Sequence, residues 1–411
     1  MEAENRLKKR PWYKWELLLL LWFAFFFNQA DRQIFNFVIP LVKTDLGLTE
    51  GQLGLVASIF VFSLGICIPI GGIVGDYFDR KWVIAGSLLF WSIATFLTGY
   101  SISLLHLILF RSIAVGGGES FYAPAANALI GEYHKKTRAV AMSIHQTALY
   151  AGVIVSGFLV GSIAERYGWR YSFVIFGSIG CALSVILAFR LENSIPKIEA
   201  KESKLIKEGV RAFFKKPTVL LLTFAFAGMI FVNVGYMTWM PTFLYEKFHL
   251  SLRDAGFSSM FYHHAAAFVG VMISGKLSDA WVLTNKKARM VILTGALLAG
   301  APFIVWMAQA DGLYMTYFAL AVFGLFRGFY DANIYATLFD FVEPARRSIT
   351  VGLFVMFGFL IGSLSPAMLG YLKPVLGMEN GLSLLAIGYI LAGCSAAIAT
   401  GFFFKKDYVS E

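Results

Sequence analysis

Residues 71–81 read GGIVGDYFDRK, and residues 275–281 read GKLSDAW. Each stretch leaves a long apolar run with the spacing Gly-x-x-x-Asp, from Gly72 to Asp76 in the first copy and from Gly275 to Asp279 in the second. Each is followed by basic residues: Arg80 and Lys81, then Lys286, Lys287 and Arg289. One pattern at corresponding places in two halves is the trace of an internal repeat. Outward from the first copy, apolar runs fall at about 17–41, 51–75, 82–100, 103–132, 139–163 and 171–190. Around the second copy they fall at about 218–245, 254–275, 290–308, 314–340, 348–372 and 382–404. A spanning helix needs about 20 apolar residues, because each adds about 1.5 Å through about 30 Å of hydrocarbon. The sequence therefore predicts an all-α membrane protein with twelve transmembrane helices in two pseudo-symmetric six-helix bundles. Residues 1–190 form the N-terminal bundle, 191–217 a linker and 218–411 the C-terminal bundle.

Composition agrees. Of the 411 residues, 58% are hydrophobic and 15% charged, and the mean hydropathy is +0.68. Soluble domains run at about 45–50% apolar and about 25% charged. This excludes a soluble enzyme, a disordered chain and a nucleic-acid module. The net charge of +10 is a topology signal. One set of loops gathers Arg6, Lys8, Lys9, Arg10, Arg80, Lys81, Lys135, Lys136, Arg138, Lys286, Lys287, Arg289, Arg346, Arg347, Lys405 and Lys406. The other set holds few, among them Lys43, Arg166, Arg170, Lys247 and Arg253. The positive-inside rule then puts both termini in the cytoplasm, with the basic loops touching anionic headgroups. In the linker, Leu205, Val210, Phe213 and Phe214 stand beside Lys204, Lys207, Lys215 and Lys216, which reads either as an amphipathic helix on the inner surface or as a flexible tether. Cys67, Cys181 and Cys394 lie in apolar runs without pairing or CxxC spacing, so no disulfide or metal site is indicated and no cofactor is expected.

An ionisable group at the bilayer centre costs about 2.5–3.5 kcal/mol on the insertion scale, so those a sequence keeps are candidates for function. Six fall inside apolar runs: Asp31, Arg32, Arg111, Glu119, Arg327 and Asp331. Asn28, Asp31, Arg32 and Asn36 stand at i, i+3, i+4 and i+8, one face of a helix. That stripe must face protein or a watery cavity; a structural ion pair to a neighbouring helix is the plainer reading. Arg111 and Glu119, eight apart on the fourth run, share a face about 12 Å apart in a regular helix, with Gly116, Gly117 and Gly118 between them. Two acids and two arginines cancel. Arginine stays charged, whereas a desolvated carboxylate can take up a proton. Protons on Asp31 and Glu119 would free Arg32 and Arg111 for an anion, and their release would eject it.

Gly71–Lys81, LFRSIAVGGGES at 109–120 and GWRYSF at 168–173 resemble the signatures of the major facilitator superfamily. Within it, Asn28-Gln-Ala-Asp31-Arg32 with Arg111 and Glu119 is similar to the anion:cation symporters of sugar acids, hexuronates and sialic acid. Spinster-like lipid transporters carry a very similar set. The resemblance implies alternating access, proton-coupling acids at Asp31 and Glu119, and substrate or coupling arginines at Arg32 and Arg111. It also implies a conformational latch at Gly72, Gly75, Asp76, Arg80 and Lys81. Physically, Asp76 can cap or approach the N-terminus of a facing helix, and Arg80 and Lys81 can meet acidic groups or carbonyl ends of helices. The second copy keeps Asp279 without an adjacent Arg-Lys pair.

The C-terminal half offers FRGFYDANIY at 326–335. Arg327 and Asp331, four apart, are either a self-neutralising pair or part of a substrate contact with Tyr330, Asn333 or Tyr335. Asn233, Tyr236, Thr238 and Trp239 precede Pro241 and either line the cavity or bond between helices. His263 and His264 point about 100° apart, which disfavours a shared metal; packing or a substrate contact at His263 remain. His145, with Gln146, is similar. No HExxH, GxSxG or Walker A pattern supports an enzyme, and a non-transporting receptor would have little use for the coupling acids. The expected function is proton-coupled symport of a small organic anion, an acidic sugar or related carboxylate, by a monomer. The rival solute is a lysophospholipid; the polar residues of the seventh and tenth runs favour a hydroxylated, sugar-like one. Short loops without an Asn-x-Ser/Thr sequon suit a bacterial inner membrane.

Overall fold

The structure, a computed structural model, describes residues 12–194 and 202–409. The N-terminal basic residues Arg6, Lys8, Lys9 and Arg10 lie outside them. Helix dominates throughout. Ten helical stretches among the described residues are long and apolar enough to cross a membrane. Span 1, Tyr13–Leu46, adds an eleventh; its polar stripe lowers its mean hydropathy. Arg347–Asp407 is counted as one stretch but breaks at Gly377, whose φ of 77° and ψ of 162° leave the helix, and so holds spans 11 and 12. Between these lie span 2 (Glu50–Tyr77), span 3 (Arg80–Thr98), span 4 (Leu104–Tyr133), span 5 (Arg138–Tyr167) and span 6 (Trp169–Arg190). Spans 7 to 10 are Pro217–Phe248, Leu252–Val282, Ala288–Gln309 and Leu313–Phe339.

The chain divides into two compact units: Met1–Ile198 with Leu250–Phe257, and Glu199–His249 with Ser258–Glu411. Their internal pairings repeat. Span 1 packs on span 5 and span 3 on span 6; span 7 packs on span 11 and span 9 on span 12. The linker is helical over Glu202–Lys215. Phe213 is buried and stacks on Phe357 at 5.9 Å, while Phe214 is exposed. Lys216 then donates to the carbonyls of Phe341 at 2.9 Å and Asp407 at 3.4 Å, which fixes the entry to span 7. Residues 195–201, and the side chains of Lys204, Leu205 and Lys207, lie outside the description.

The repeated motif is anchored alike in both units. Arg80, in the first turn of span 3, pairs with Glu132 near the end of span 4 at 3.0 Å. Arg289, in the first turn of span 9, meets Asp340 at the end of span 10 at 3.4 Å and Asp279 at 3.6 Å. The second copy thus recruits its basic partner from farther along the chain. The start of span 3 is capped by Asp79, whose Oδ1 accepts from the backbone N–H groups of Lys81 at 3.1 Å and Ser194 at 2.9 Å, while Asp76 is exposed in the last turn of span 2. A carboxylate just ahead of a helix reaches its free N–H groups; one inside the preceding turn points away. Lys81 stands over the Trp82 ring at 5.0 Å rather than on an acid.

His134 closes span 4. Its Nε2 donates to the Lys14 carbonyl at 2.8 Å, and its Nδ1 accepts from the Thr137 hydroxyl at 2.9 Å. A carbonyl can only accept, so Nε2 carries a proton, and burial disfavours a second one on Nδ1. Burial holds the imidazole below the ordinary histidine range, with the Lys14 bond opposing in part. The unfolded chain then binds the extra proton below about pH 6.5. Stability should be full above that pH and decline as pH falls toward the lowered folded value. Thermal unfolding of His134→Gln should show a flatter loss on acidification than the wild type.

Candidate functional site

Unit 1 gathers Asp31, Arg32, Arg111 and Glu119 in its interior. Asn28, Asp31 and Asn36 are buried, while the Arg32 side chain keeps 21% of its surface exposed. The stripe on span 1 thus turns into the protein with Arg32 at its open edge. Arg32 Nε meets Glu119 Oε2 at 2.7 Å, and the Glu119 side chain is fully buried. Asp31 Oδ2 accepts a long 3.4 Å bond from Thr95 on span 3. Asn28 accepts from Gln29, and Asn36 donates to Gln33, each at 2.9 Å.

Span 4 is not the regular helix its sequence suggests. A π-helical segment runs from Leu107 to Ala114 and carries Arg111; a short α-helix, Val115–Glu119, follows, and the chain turns before Tyr122–Tyr133. Wide turns of this kind recur at functional sites. Both residues still turn to Arg32: Glu119 meets its guanidinium, and Arg111 Nη2 donates to its backbone carbonyl at 2.7 Å. The Arg111 guanidinium lies 4.1 Å from the Phe60 ring centroid and 5.9 Å from that of Phe35, a cation–π arrangement that compensates charge without a carboxylate. Nothing in LILFRSIA announces the wide turn; it depends on contacts such as Ser112 Oγ donating to the Val56 carbonyl of span 2 at 2.6 Å.

The glycine run holds this geometry. A Cβ on Gly116 would lie 2.7 Å from the Phe60 carbonyl oxygen, and one on Gly118 would lie 2.7 Å from Phe90 Cδ1. Gly117 meets nothing nearer than Cys67 Sγ at 3.9 Å. Gly116→Ala should therefore cost about 1–3 kcal/mol of stability, with Gly117→Ala near neutral, as read by thermal unfolding in detergent. Of the motif glycines, Gly71 is the one pressed on span 4, where a Cβ would come 2.6 Å from the Ser120 carbonyl oxygen; one on Gly75 would make ordinary contact with Ala125, and one on Gly72 would meet open space.

The cluster is charge-balanced but not bond-balanced. Asp31 Oδ1, Glu119 Oε1, and Arg111 Nε and Nη1 are buried without hydrogen-bond partners. One ion pair closes among four charges. Loss of the negative charge on Glu119 would release the arginine that stands at the open edge.

In unit 2, Arg327 Nε donates to both oxygens of Asp331 at 2.9 Å. Tyr236 is fully buried, its hydroxyl donating to the Ser259 carbonyl, and its ring lies 4.8 Å from that of His263. Asn333 is fully buried and donates to Ser274 Oγ at 2.8 Å. Asn233 is half-buried, with its amide 3.4 Å from Met237 Sδ. His264 bonds the Met260 carbonyl at 2.9 Å. His145, in unit 1, meets the Tyr122 hydroxyl at 3.1 Å and stacks on Phe25 at 4.6 Å. The structure thus gives Tyr236 and Asn333 partners within the unit, and leaves Arg327 and Asp331 partly exposed. Tyr389, which sequence reasoning passed over as one more aromatic in an apolar run, joins Arg327. Among the described residues no group of three or more His, Cys, Asp or Glu is placed to hold a metal ion.

Apolar helices with balanced charge buried inside them define a multi-pass membrane protein of the transporter type. The family profile of the Major Facilitator Superfamily matches residues 21–366, and the chain belongs to that superfamily. It is 26% identical over 402 residues to the hexuronate transporter of Bacillus subtilis (strain 168), covering 94% of each chain. It is 25% identical over 423 residues to the probable galactarate/D-glucarate transporter GudP of the same organism, covering 95% of this chain and 91% of that one. A crystal structure of a bacterial homolog to the human lysosomal transporter Spinster, inward-facing and unoccupied, superposes with a TM-score of 0.82 at 22% identity, covering 97% of this chain and 99% of that one. Fold and relatives are those of transporters, not enzymes.

Proposed function

We propose that the chain is a proton-coupled symporter of a small organic anion, an acidic sugar or related carboxylate, working by alternating access. The observation that carries the reading is the Arg32–Glu119 pair: a buried acid restrains the one cluster arginine that is partly exposed. Asp31 and Glu119 are the proton carriers, and Arg32 and Arg111 the anion-binding groups. Protonation releases Arg32 to the solute; bound anion balances the arginines; proton loss restores the internal pair and expels the anion. Within the second unit, Arg327 and Tyr330 are the candidate solute-binding groups. The motif around Gly72, Gly75, Asp76, Arg80 and Lys81 governs conformation, through Arg80–Glu132. No cofactor beyond the proton is required. The basic loops support a cytoplasmic location for both termini and anionic headgroups as lipid partners, and short loops without an Asn-x-Ser/Thr sequon support a bacterial inner membrane. A single chain carries the machinery, so a monomer suffices. The names of the hexuronate and galactarate/D-glucarate relatives support the solute class.

The test is uptake into proteoliposomes under an inward proton gradient, with glucuronate, galactarate and a lysophospholipid as solutes. Accumulation of a sugar acid that collapses with a protonophore is the expected result. Movement of the lipid alone would refute the solute class, and uptake indifferent to the gradient would refute the coupling.

A further inference from the structure

The first residues of the linker are built into unit 1. Span 6 ends at Arg190, and residues 191–194 then run past the starts of spans 1 and 3 and the end of span 4. Leu191 and Ser194 are buried. The Glu192 N–H donates to the Tyr13 hydroxyl at 2.7 Å, and the Tyr13 ring stands edge-on to that of Tyr133 at 5.3 Å. Ser194 bonds the motif turn in both directions. Its N–H donates to Asp79 Oδ1 at 2.9 Å, and its carbonyl accepts from the Arg80 N–H at 3.1 Å. That N–H is one of the donors a helix start leaves free, so the linker completes the cap that Asp79 begins. The Ser194 hydroxyl donates to Glu132 Oε2 at 2.6 Å, the same oxygen that Arg80 Nη1 meets at 3.0 Å.

One carboxylate oxygen therefore serves both the ion pair and the linker. The Glu132 side chain keeps 33% of its surface exposed. Water competes for an acid in that position, and holding two long side chains in one geometry costs rotamer freedom. A second, charge-assisted donor on the same oxygen offsets that cost, because it fixes the acid where the guanidinium reaches it. In unit 2 the segment after span 12 returns to the matching place: the Val409 N–H donates to the Asp340 carbonyl at 3.0 Å, beside the Arg289–Asp340 pair. There the bond goes to the backbone, whereas Ser194 reaches the ion pair itself.

We infer that Ser194 is a positioning residue of the conformational latch: its hydroxyl sets the Glu132 oxygen for Arg80, so the linker and the latch engage and release together. This rests on the latch reading above and adds the linker to it. The test is pulsed electron spin resonance of the full-length protein in lipid nanodiscs. Spin labels sit at Lys136→Cys and Leu283→Cys, both exposed, one in each unit, with Cys67, Cys181 and Cys394 replaced by alanine. The ratio of long to short label distances reads the conformational populations. Glu132→Gln should move that ratio, and Ser194→Ala should move it in the same direction by about three- to tenfold. Ser194→Thr, which keeps the hydroxyl, should hold the wild-type ratio, and Ser194→Ala should add nothing in a Glu132→Gln background. Ser194→Gly carries the comparison if Ser194→Ala does not fold. A serine that only supports the fold would change the unfolding temperature and leave the ratio alone. A ratio moved by Glu132→Gln but not by loss of the hydroxyl, or moved additively by the two, would overturn the inference while the latch stands. A ratio moved by neither would remove the latch reading with it.

Discussion

Glu119→Gln should bind anion with an affinity that does not change with pH, whereas the wild type should bind more weakly as the pH rises, by about 5–150-fold in all. The sign follows from the geometry. In the charged state Glu119 Oε2 holds Arg32 Nε at 2.7 Å, with the acid fully buried. Anion and carboxylate compete for one guanidinium, so the proton that neutralises Glu119 favours the anion. Linkage is reciprocal: bound anion must favour the proton by the same factor. Glutamine cannot ionise, so the affinity stays at its low-pH value and the reciprocal proton uptake disappears. Anion affinity measured by titration calorimetry across the pH range checks this. A variant as pH-dependent as the wild type would place the switch elsewhere.

Arg32→Gln should fail in two separable ways. It leaves Glu119 buried without its cation, and breaking a buried pair costs about 3–5 kcal/mol. It also removes the arginine at the open edge, and loss of one partner in a buried charged contact costs about 2 kcal/mol or more, roughly thirtyfold in anion affinity. The double variant Arg32→Gln, Glu119→Gln separates the two. With neither charge present its unfolding temperature should recover much of the loss, while anion binding stays weak. Recovery of both would mean that the pair is structural only. Arg111→Lys tests the neighbouring cation, since a lysine keeps the charge but loses the planar group that lies over Phe60 and bonds the Arg32 carbonyl.

Sequence periodicity carries far in this protein because the solvent is hydrocarbon. Backbone bonds must close within each helix, so apolar length reads out the spans, and the GGIVGDYFDRK echo reads out the repeat. The stripe Asn28–Asp31–Arg32–Asn36 is legible for the same reason, since a helix fixes which residues share a face. What sequence does not reveal is where the helix stops being regular. The wide turn at Leu107–Ala114, which carries Arg111 to the Arg32 carbonyl, is not encoded by any local pattern. Asp76 and Asp79 are three residues apart in similar surroundings, and the one that caps is decided by where span 2 ends, at Tyr77. Tyr236 and Asn333 were legible as polar groups but not as partners of Ser259 and Ser274, because spacing gives a face and not a neighbour. Tyr389 stands in an apolar run, and its approach to Arg327 appears only when spans 10 and 12 are seen together.

The most direct measurement is the movement of protons with the solute in the absence of any imposed gradient. Proteoliposomes in weakly buffered medium are given glucuronate or galactarate, and external pH and labelled anion are followed together. The account predicts alkalinisation outside in step with anion entry, lost in Asp31→Asn and in Glu119→Gln. Anion entry without alkalinisation, or alkalinisation that persists in both variants, would contradict it.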